Sequence, residues 1–158
     1  MLSLCKIDAY KVKIYYTVNI LFNEVFKMVK VAFVCIHNSC RSQMAEGYLR
    51  ALSNHNVEVF SAGTEDYPAV KPGAIKAMAL DGIDISIQYP KTLDVLPADL
   101  DYLITMGCGV ECPFVPTKNR EDWGLEDPSG GPLEAYIATR DLIKARVIEL
   151  IKRIEQSK

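Results

Sequence analysis

The chain has 158 residues, 49% of them hydrophobic, with 18 Lys plus Arg against 20 Asp plus Glu and a formal net charge of −2; that is the size and balance of one globular domain. No basic stripe suits nucleic acid, and no apolar run is long enough to span a membrane. Five cysteines in a composition of cytoplasmic type favour reactive thiols over a disulfide scaffold.

Residues 1–28 differ from the rest. They mix lysines with apolar residues (Lys11, Val12, Lys13, Ile14, Tyr15, Tyr16) without a clean period, and they carry no small-residue cleavage site. Met28 stands directly before Val29-Lys30-Val31, where a first strand would open a protein. We therefore read 1–28 as an N-terminal extension and 29–158 as the functional domain. A short amphipathic or strand-like segment packed on the domain is the alternative, and Cys5 has no assigned role.

Val31-Ala32-Phe33-Val34 is a continuous apolar run of the kind covered on both faces of a sheet, and it predicts a strand. A helix is expected from near Ser42, with Met44, Tyr48, Leu49 and Leu52 on one side, continuing to about His55. Between them lies Cys35-Ile36-His37-Asn38-Ser39-Cys40-Arg41-Ser42. A loop this short can curl so that the N–H groups from Ile36 to Arg41 face one point. Those donors, the positive end of the following helix and the Arg41 guanidinium all favour a tetrahedral oxyanion there. The same field favours a thiolate at Cys35, making it the candidate nucleophile. Ser42 can donate a hydrogen bond to that sulfur, and the Asn38 side chain can brace the loop. The expectation for His37 is a solvent-facing ring with a useful backbone N–H, and for Cys40 a small packed residue.

Farther on, Val57-Glu58-Val59-Phe60 predicts a second strand ended by Ser61-Ala62-Gly63. Pro72 opens a helix that continues through Ala74, Ile75, Ala77, Met78 and Leu80 to a stop at Gly82. Asp101 to Met106 reads as a third strand and Phe114-Val115 as a short fourth. A long last helix runs from about Leu133 to Gln156, with Ile143, Val147, Leu150, Ile151 and Ile154 as its apolar stripe. This alternation predicts an α/β fold: a small parallel four-stranded sheet with helices on both faces and the ligand at the carboxyl ends of the strands.

Two loops fall at those ends. Cys108 and Cys112 flank Gly109-Val110-Glu111 after the third strand. A zinc pair would need further ligands, and with only His37 and His55 as histidines no metal is expected. A redox pair or two unrelated loop cysteines remain. Asp127-Pro128-Ser129-Gly130-Gly131 is either a helix-start turn or a rigid loop holding Asp127 as general acid over the oxyanion.

From Met28 to about Arg153 the chain resembles the thioredoxin-coupled arsenate reductases built on the low-molecular-weight tyrosine phosphatase fold. The resemblance rests on Cys35 to Gly47, above all Ser42-Gln43-Met44-Ala45-Glu46-Gly47, and on Ser61-Ala62-Gly63, Gly82-Ile83-Asp84-Ile85-Ser86, Glu121-Asp122-Trp123-Gly124 and Asp127-Pro128. It implies that Cys35 attacks arsenate, that Arg41 and the loop N–H groups hold the oxyanion, and that Asp127 protonates the departing hydroxide. It further implies that Cys108 attacks Cys35 to release arsenite and Cys112 then attacks Cys108, with no tightly bound cofactor. The last two cysteines are closer together than in the best-known thioredoxin-coupled members, which leaves thioredoxin or a low-molecular-weight thiol as reductant. A phosphomonoester phosphatase using Cys35, Arg41 and Asp127 is the second reading, and a non-catalytic anion-binding module the third.

The resemblance also places a monovalent-cation site at Asn38, Glu46 and Ser61, completed by an aspartate five residues after Ser86. That position is Lys91. The expectation is that its ammonium stands in for the ion and pairs with Glu46; an exposed loop lysine is the alternative.

Overall fold

The computed structural model describes residues 28–54, 56–107 and 114–157, so the reading of 1–28 as an extension lies, apart from Met28, outside the described residues. The elements are β1 (Val29–Cys35), α1 (Arg41–Leu52), β2 (Val57–Gly63), α2 (Pro72–Leu80), a 3-10 turn at Leu93–Val95, β3 (Leu100–Thr105), β4 (Thr117–Asp122) and α3 (Leu133–Gln156). All strand pairings are parallel, in the order β2-β1-β3-β4. The expected four-stranded parallel sheet is therefore present, with β1 inside it.

Strand alternation sorts the apolar run of β1 onto two faces. Val31, Phe33 and Cys35 join the main core with Met44, Ala45, Tyr48 and Leu49 of α1, Ala74, Ala77 and Met78 of α2, and Ile143, Val147, Leu150 and Ile154 of α3. Ala32 and Val34 face a smaller cluster with Ala62, Leu100 and Leu103, against which Leu93 and Leu96 pack. Among the described residues the three α-helices thus share one face, rather than both faces as the alternation suggested, because their apolar stripes all pack on the Val31 and Phe33 side, and the 3-10 turn region covers the other. Burying a side chain such as Phe33 contributes about 1.5–3 kcal/mol, so both clusters matter to a domain of this size.

Element boundaries depart from the sequence reading where side chains are small or charged. β2 continues through Ser61-Ala62-Gly63, because these residues stay in register opposite Phe33, Val34 and Cys35. The fourth strand is Thr117–Asp122 rather than Phe114-Val115, and Phe114 is 89% exposed. A strand at the sheet edge, largely open to water on its faces, needs no apolar pattern, so the apolar pair was the wrong signal. The first helix ends at Leu52, itself exposed, short of the expected His55.

The register brings Cys35, Gly63, Thr105 and Asp122 to one end of the sheet. In α1 every residue from Arg41 to Leu49 is buried, including Arg41, Ser42, Gln43 and Glu46. Buried polar side chains in such number require partners, and those partners form the site.

Candidate active site

Cys35 is the last residue of β1 and 5% exposed. The chain then turns through Asn38, the one non-glycine residue with positive φ (49°) among the described residues. That turn brings the Asn38 N–H to 3.1 Å from the Cys35 sulfur, and the Ser42 Oγ lies 2.9 Å from the same sulfur. Helix α1 begins without a side-chain cap, so its first-turn N–H groups remain for an anion.

Gly63 makes this curl sterically feasible. A Cβ there would lie 2.6 Å from the Ile36 carbonyl oxygen and 2.9 Å from the Asn38 nitrogen, inside contact distance. The loop is held to the chain after β2 by Thr64 N–H to Cys35 O (3.2 Å), Glu65 N–H to Ile36 O (2.9 Å) and Lys71 N–H to Ser39 O (2.7 Å).

Behind the loop, Asn38 is the hub. Its Nδ2 donates to Ser42 Oγ at 2.8 Å and to Ser61 Oγ at 2.9 Å. Ser61 in turn donates to Glu46 Oε2. Glu46 is paired with Arg50 at 2.9 Å and with the Lys91 ammonium at 3.1 Å. The Lys91 backbone N–H donates to Asn38 Oδ1 at 2.9 Å. Asn38, Glu46, Ser61 and Lys91 thus converge on one point beneath the oxyanion loop, and the Lys91 side chain is turned inward rather than into solvent.

Arg41 joins the loop to the two strand-end segments opposite. Nη1 donates to Met106 O at 3.1 Å and Leu125 O at 2.7 Å, and Nη2 to Asp127 Oδ2 at 3.2 Å. Its Nε is buried without a protein partner, a donor left for an oxyanion. The Asp127 side chain is 43% exposed. Burial pushes its carboxyl up, but hydrogen bonds from Ser129 and the charges of Arg41 and His37 outweigh this and hold it below the usual carboxylate range. Here Asp127 is ionised. To act as an acid it must be protonated, which an oxyanion assists by drawing the Arg41 charge to itself and adding negative charge nearby.

Cys40 lies in the same loop, yet burial pushes its thiol up to about 12, helped by the nearby Asp127. It stays protonated and serves through its backbone and its packing. His37 is partly exposed, with Nε2 3.3 Å from Glu65 Oε2 and its ring tilted 4.9 Å from the Tyr67 ring. The cysteines among the described residues, Cys35 and Cys40, are both free; Cys108 and Cys112 lie outside the described residues. The segment leading to them is in place, since Met106 N–H bonds Val34 O at 3.1 Å and a Cβ on Gly107 (φ 80°) would strike the Gly124 backbone at 2.6 Å.

Sequence reasoning missed Gln43, Gln88, Tyr89, Glu65, Tyr67 and Lys71. The only available signal was for Gln43, a polar residue one position after Ser42 in the run that carried the resemblance.

The comparisons extend this geometry. The family described as low molecular weight phosphotyrosine protein phosphatase matches residues 30–158. The chain is 45% identical over 131 residues to the glutaredoxin arsenate reductase of Synechocystis sp., a match covering 80% of this chain and 99% of that protein. It is similar to a solved arsenate reductase in the phosphate binding state, with a TM-score of 0.75 at 45% identity, covering 80% of this chain and 99% of that one. It is also similar to the thioredoxin-dependent arsenate reductase of Corynebacterium glutamicum, with a TM-score of 0.69 at 34% identity, covering 84% of this chain and 64% of that one.

Proposed function

The chain belongs to the low molecular weight phosphotyrosine protein phosphatase family, and from that membership and its arsenate reductase relatives we propose that it reduces arsenate to arsenite by a cysteine relay. Arsenate is held by the Arg41 guanidinium and the N–H groups from Ile36 to Arg41. The Cys35 thiolate, stabilised by the Asn38 N–H and the Ser42 hydroxyl, attacks arsenic(V). A hydroxyl leaves as water with the proton from Asp127. Cys108 then attacks the Cys35 sulfur; the As–S electron pair passes to arsenic, which departs as arsenite, and a Cys35–Cys108 disulfide remains. Cys112 attacks Cys108, frees Cys35 and leaves a Cys108–Cys112 disulfide for an external thiol to reduce.

One observation carries the relay beyond simple ester hydrolysis. The Arg41 guanidinium bonds the Met106 carbonyl, and Met106 precedes Cys108 by two positions in the sequence. The described chain that leads toward the two cysteines, through Met106 and Gly107, thus runs beside Arg41, and this supports the relay reading. A phosphatase needs neither Cys108 nor Cys112, so slow hydrolysis of an aryl phosphate is the residual activity expected of Cys35, Arg41 and Asp127.

The donor we assign is thioredoxin, as in the thioredoxin-dependent relative from Corynebacterium glutamicum, since a disulfide between Cys108 and Cys112 would be open to dithiol exchange. With such a donor, the compartment we propose for the reaction is the cytoplasm, where thiols are kept reduced. The test is arsenate-dependent NADPH oxidation with thioredoxin and its reductase, run beside glutaredoxin with glutathione and glutathione reductase, and beside glutathione with glutathione reductase alone. Turnover with thioredoxin is expected. Turnover only in the glutathione arms would reassign the donor, and none in any arm would remove the activity.

A further inference from the structure

Gln43 has no part in the chemistry above, yet it is fully buried in the first turn of α1. Its Nε2 lies 2.9 Å from Asn38 O, 2.9 Å from Asn38 Oδ1 and 2.8 Å from Tyr89 O. Three acceptors fix the amide with its nitrogen facing them. On the other side, its Oε1 accepts from Gln88 Nε2 at 2.6 Å, which fixes the same orientation independently.

That orientation passes along the chain of contacts. Asn38 Oδ1 is met by two donors, Gln43 Nε2 and the Lys91 N–H. Asn38 Nδ2 must therefore face the hydroxyls of Ser42 and Ser61 and donate to both. With a lone pair of Ser42 engaged in this way, its hydroxyl proton is directed to the Cys35 sulfur. A reversed Asn38 amide would put its carbonyl oxygen beside Ser42 and draw that proton away, leaving an oxygen lone pair against the thiolate.

We infer that Gln43 is a positioning residue that sets the polarity of the Gln88–Gln43–Asn38–Ser42 relay, so that Ser42 and the Asn38 N–H both donate to the Cys35 sulfur. It also keeps Asn38 in its left-handed conformation by bonding its carbonyl. The inference rests on Cys35 being the attacking sulfur, and the two can fail separately.

The test compares wild type with Gln43→Met, which removes the amide at similar volume, Gln43→Glu, which keeps the shape but turns a carboxylate toward acceptors, and Gln88→Leu. Cys35 alkylation by iodoacetamide is followed by peptide mass spectrometry from about pH 5 to about pH 9, where thiolate fraction governs the rate. Folding is checked by circular dichroism, and kcat and KM for arsenate are measured. Weakening one hydrogen bond to a charged group moves the alkylation profile of Gln43→Met up by about one pH unit, about tenfold in rate on its acid side. kcat falls with it while KM stays within about twofold of wild type, and Gln43→Glu shows at least as large a loss. An unmoved profile in folded Gln43→Met makes the residue merely structural and overturns the inference. A raised KM with unchanged kcat also overturns it, by placing Gln43 in anion binding. Should both position-43 variants fail to fold, Gln88→Leu decides: a slowing of about two- to threefold supports the relay and an unchanged rate overturns it. If wild-type Cys35 is itself not the fast-reacting thiol and Cys35→Ser still reduces arsenate, the functional reading falls instead.

Discussion

Replacing Lys91 by Met removes the ammonium 3.1 Å from Glu46 Oε2 and leaves a carboxylate whose side chain is only 5% exposed. Truncating one partner of a buried ion pair costs about 3–5 kcal/mol when the other is left alone. Glu46 is not left alone: Arg50 stays at 2.9 Å and Ser61 still donates to it. Roughly half the cost, about 2 kcal/mol, is therefore expected, or a fall of about 4–8 °C in Tm. The loss should also reach catalysis, because the Lys91 backbone N–H bonds Asn38 Oδ1 and a displaced Lys91 loosens the oxyanion loop. If the ammonium occupies the place of a monovalent ion, wild-type kcat/KM for arsenate is the same in potassium and sodium chloride at equal ionic strength. Lys91→Asp, which sets a second carboxylate beside Glu46, should gain activation by potassium. Thermal denaturation and steady-state rates in the two salts give the answer. A Tm change in Lys91→Met within about 1 °C, or potassium activation of the wild type, refutes the reasoning.

Cys35→Ser should abolish arsenate reduction and aryl phosphate hydrolysis together, since a neutral hydroxyl in that loop is a poor nucleophile; near-normal reduction would remove Cys35 from the mechanism. Cys108→Ser and Cys112→Ser should each stop thioredoxin-coupled turnover yet spare slow phosphate ester hydrolysis, and normal turnover in either would break the relay at that residue. Asp127→Asn should slow the first chemical step by about 10²-fold or more, measured in a single turnover; an unchanged rate would return Asp127 to the role of a turn residue. Because the folded state holds the Asp127 carboxyl below its ordinary range, its stabilising contribution is present at neutral pH and lost as pH falls through the folded value. The Tm gap between wild type and Asp127→Asn should accordingly narrow in acid. Gly63→Ala puts a methyl 2.6 Å from Ile36 O, and overpacking of this kind costs about 1–3 kcal/mol. Phosphate binding should weaken more than stability suggests, as isothermal titration and a melting curve would show, and unchanged phosphate affinity would contradict the close packing.

The parts legible in the sequence were those whose meaning is local. Cys35 and Arg41 are six positions apart, Asp127 precedes a proline, and each element of the βαβ rhythm carries its own apolar period. Two kinds of feature were not local. The edge strand Thr117–Asp122 is polar because one long side and much of its faces meet water, so nothing in its composition marks it as a strand. The supports of the loop are assembled from distant segments: Gln43 meets Tyr89 across 46 positions and Lys91 meets Glu46 across 45. Counting from Ser86 suggested Lys91, but only the fold shows its segment held against the end of β2 through the Gly63–Thr92 bridge. Likewise, the sequence neighbours of Asp127 suggested an acid, but only the fold sets its carboxyl 3.2 Å from the Arg41 guanidinium.

The strand order has a consequence for biosynthesis. A central strand that precedes the other described strands in sequence leaves the ribosome long before they do. β1 acquires one partner when β2 (Val57–Gly63) emerges and its second only with β3 (Leu100–Thr105), while β4 waits for β3. Because every pairing is parallel, no hairpin can zip two strands together, and each contact must close a loop through a crossover. Val31-Ala32-Phe33-Val34, the most apolar stretch of the sheet, thus stays without its second strand partner until more than half of the domain has been synthesised. Folding of such a chain is slow for its size, and the nascent form presents the same segment to chaperones or to other chains.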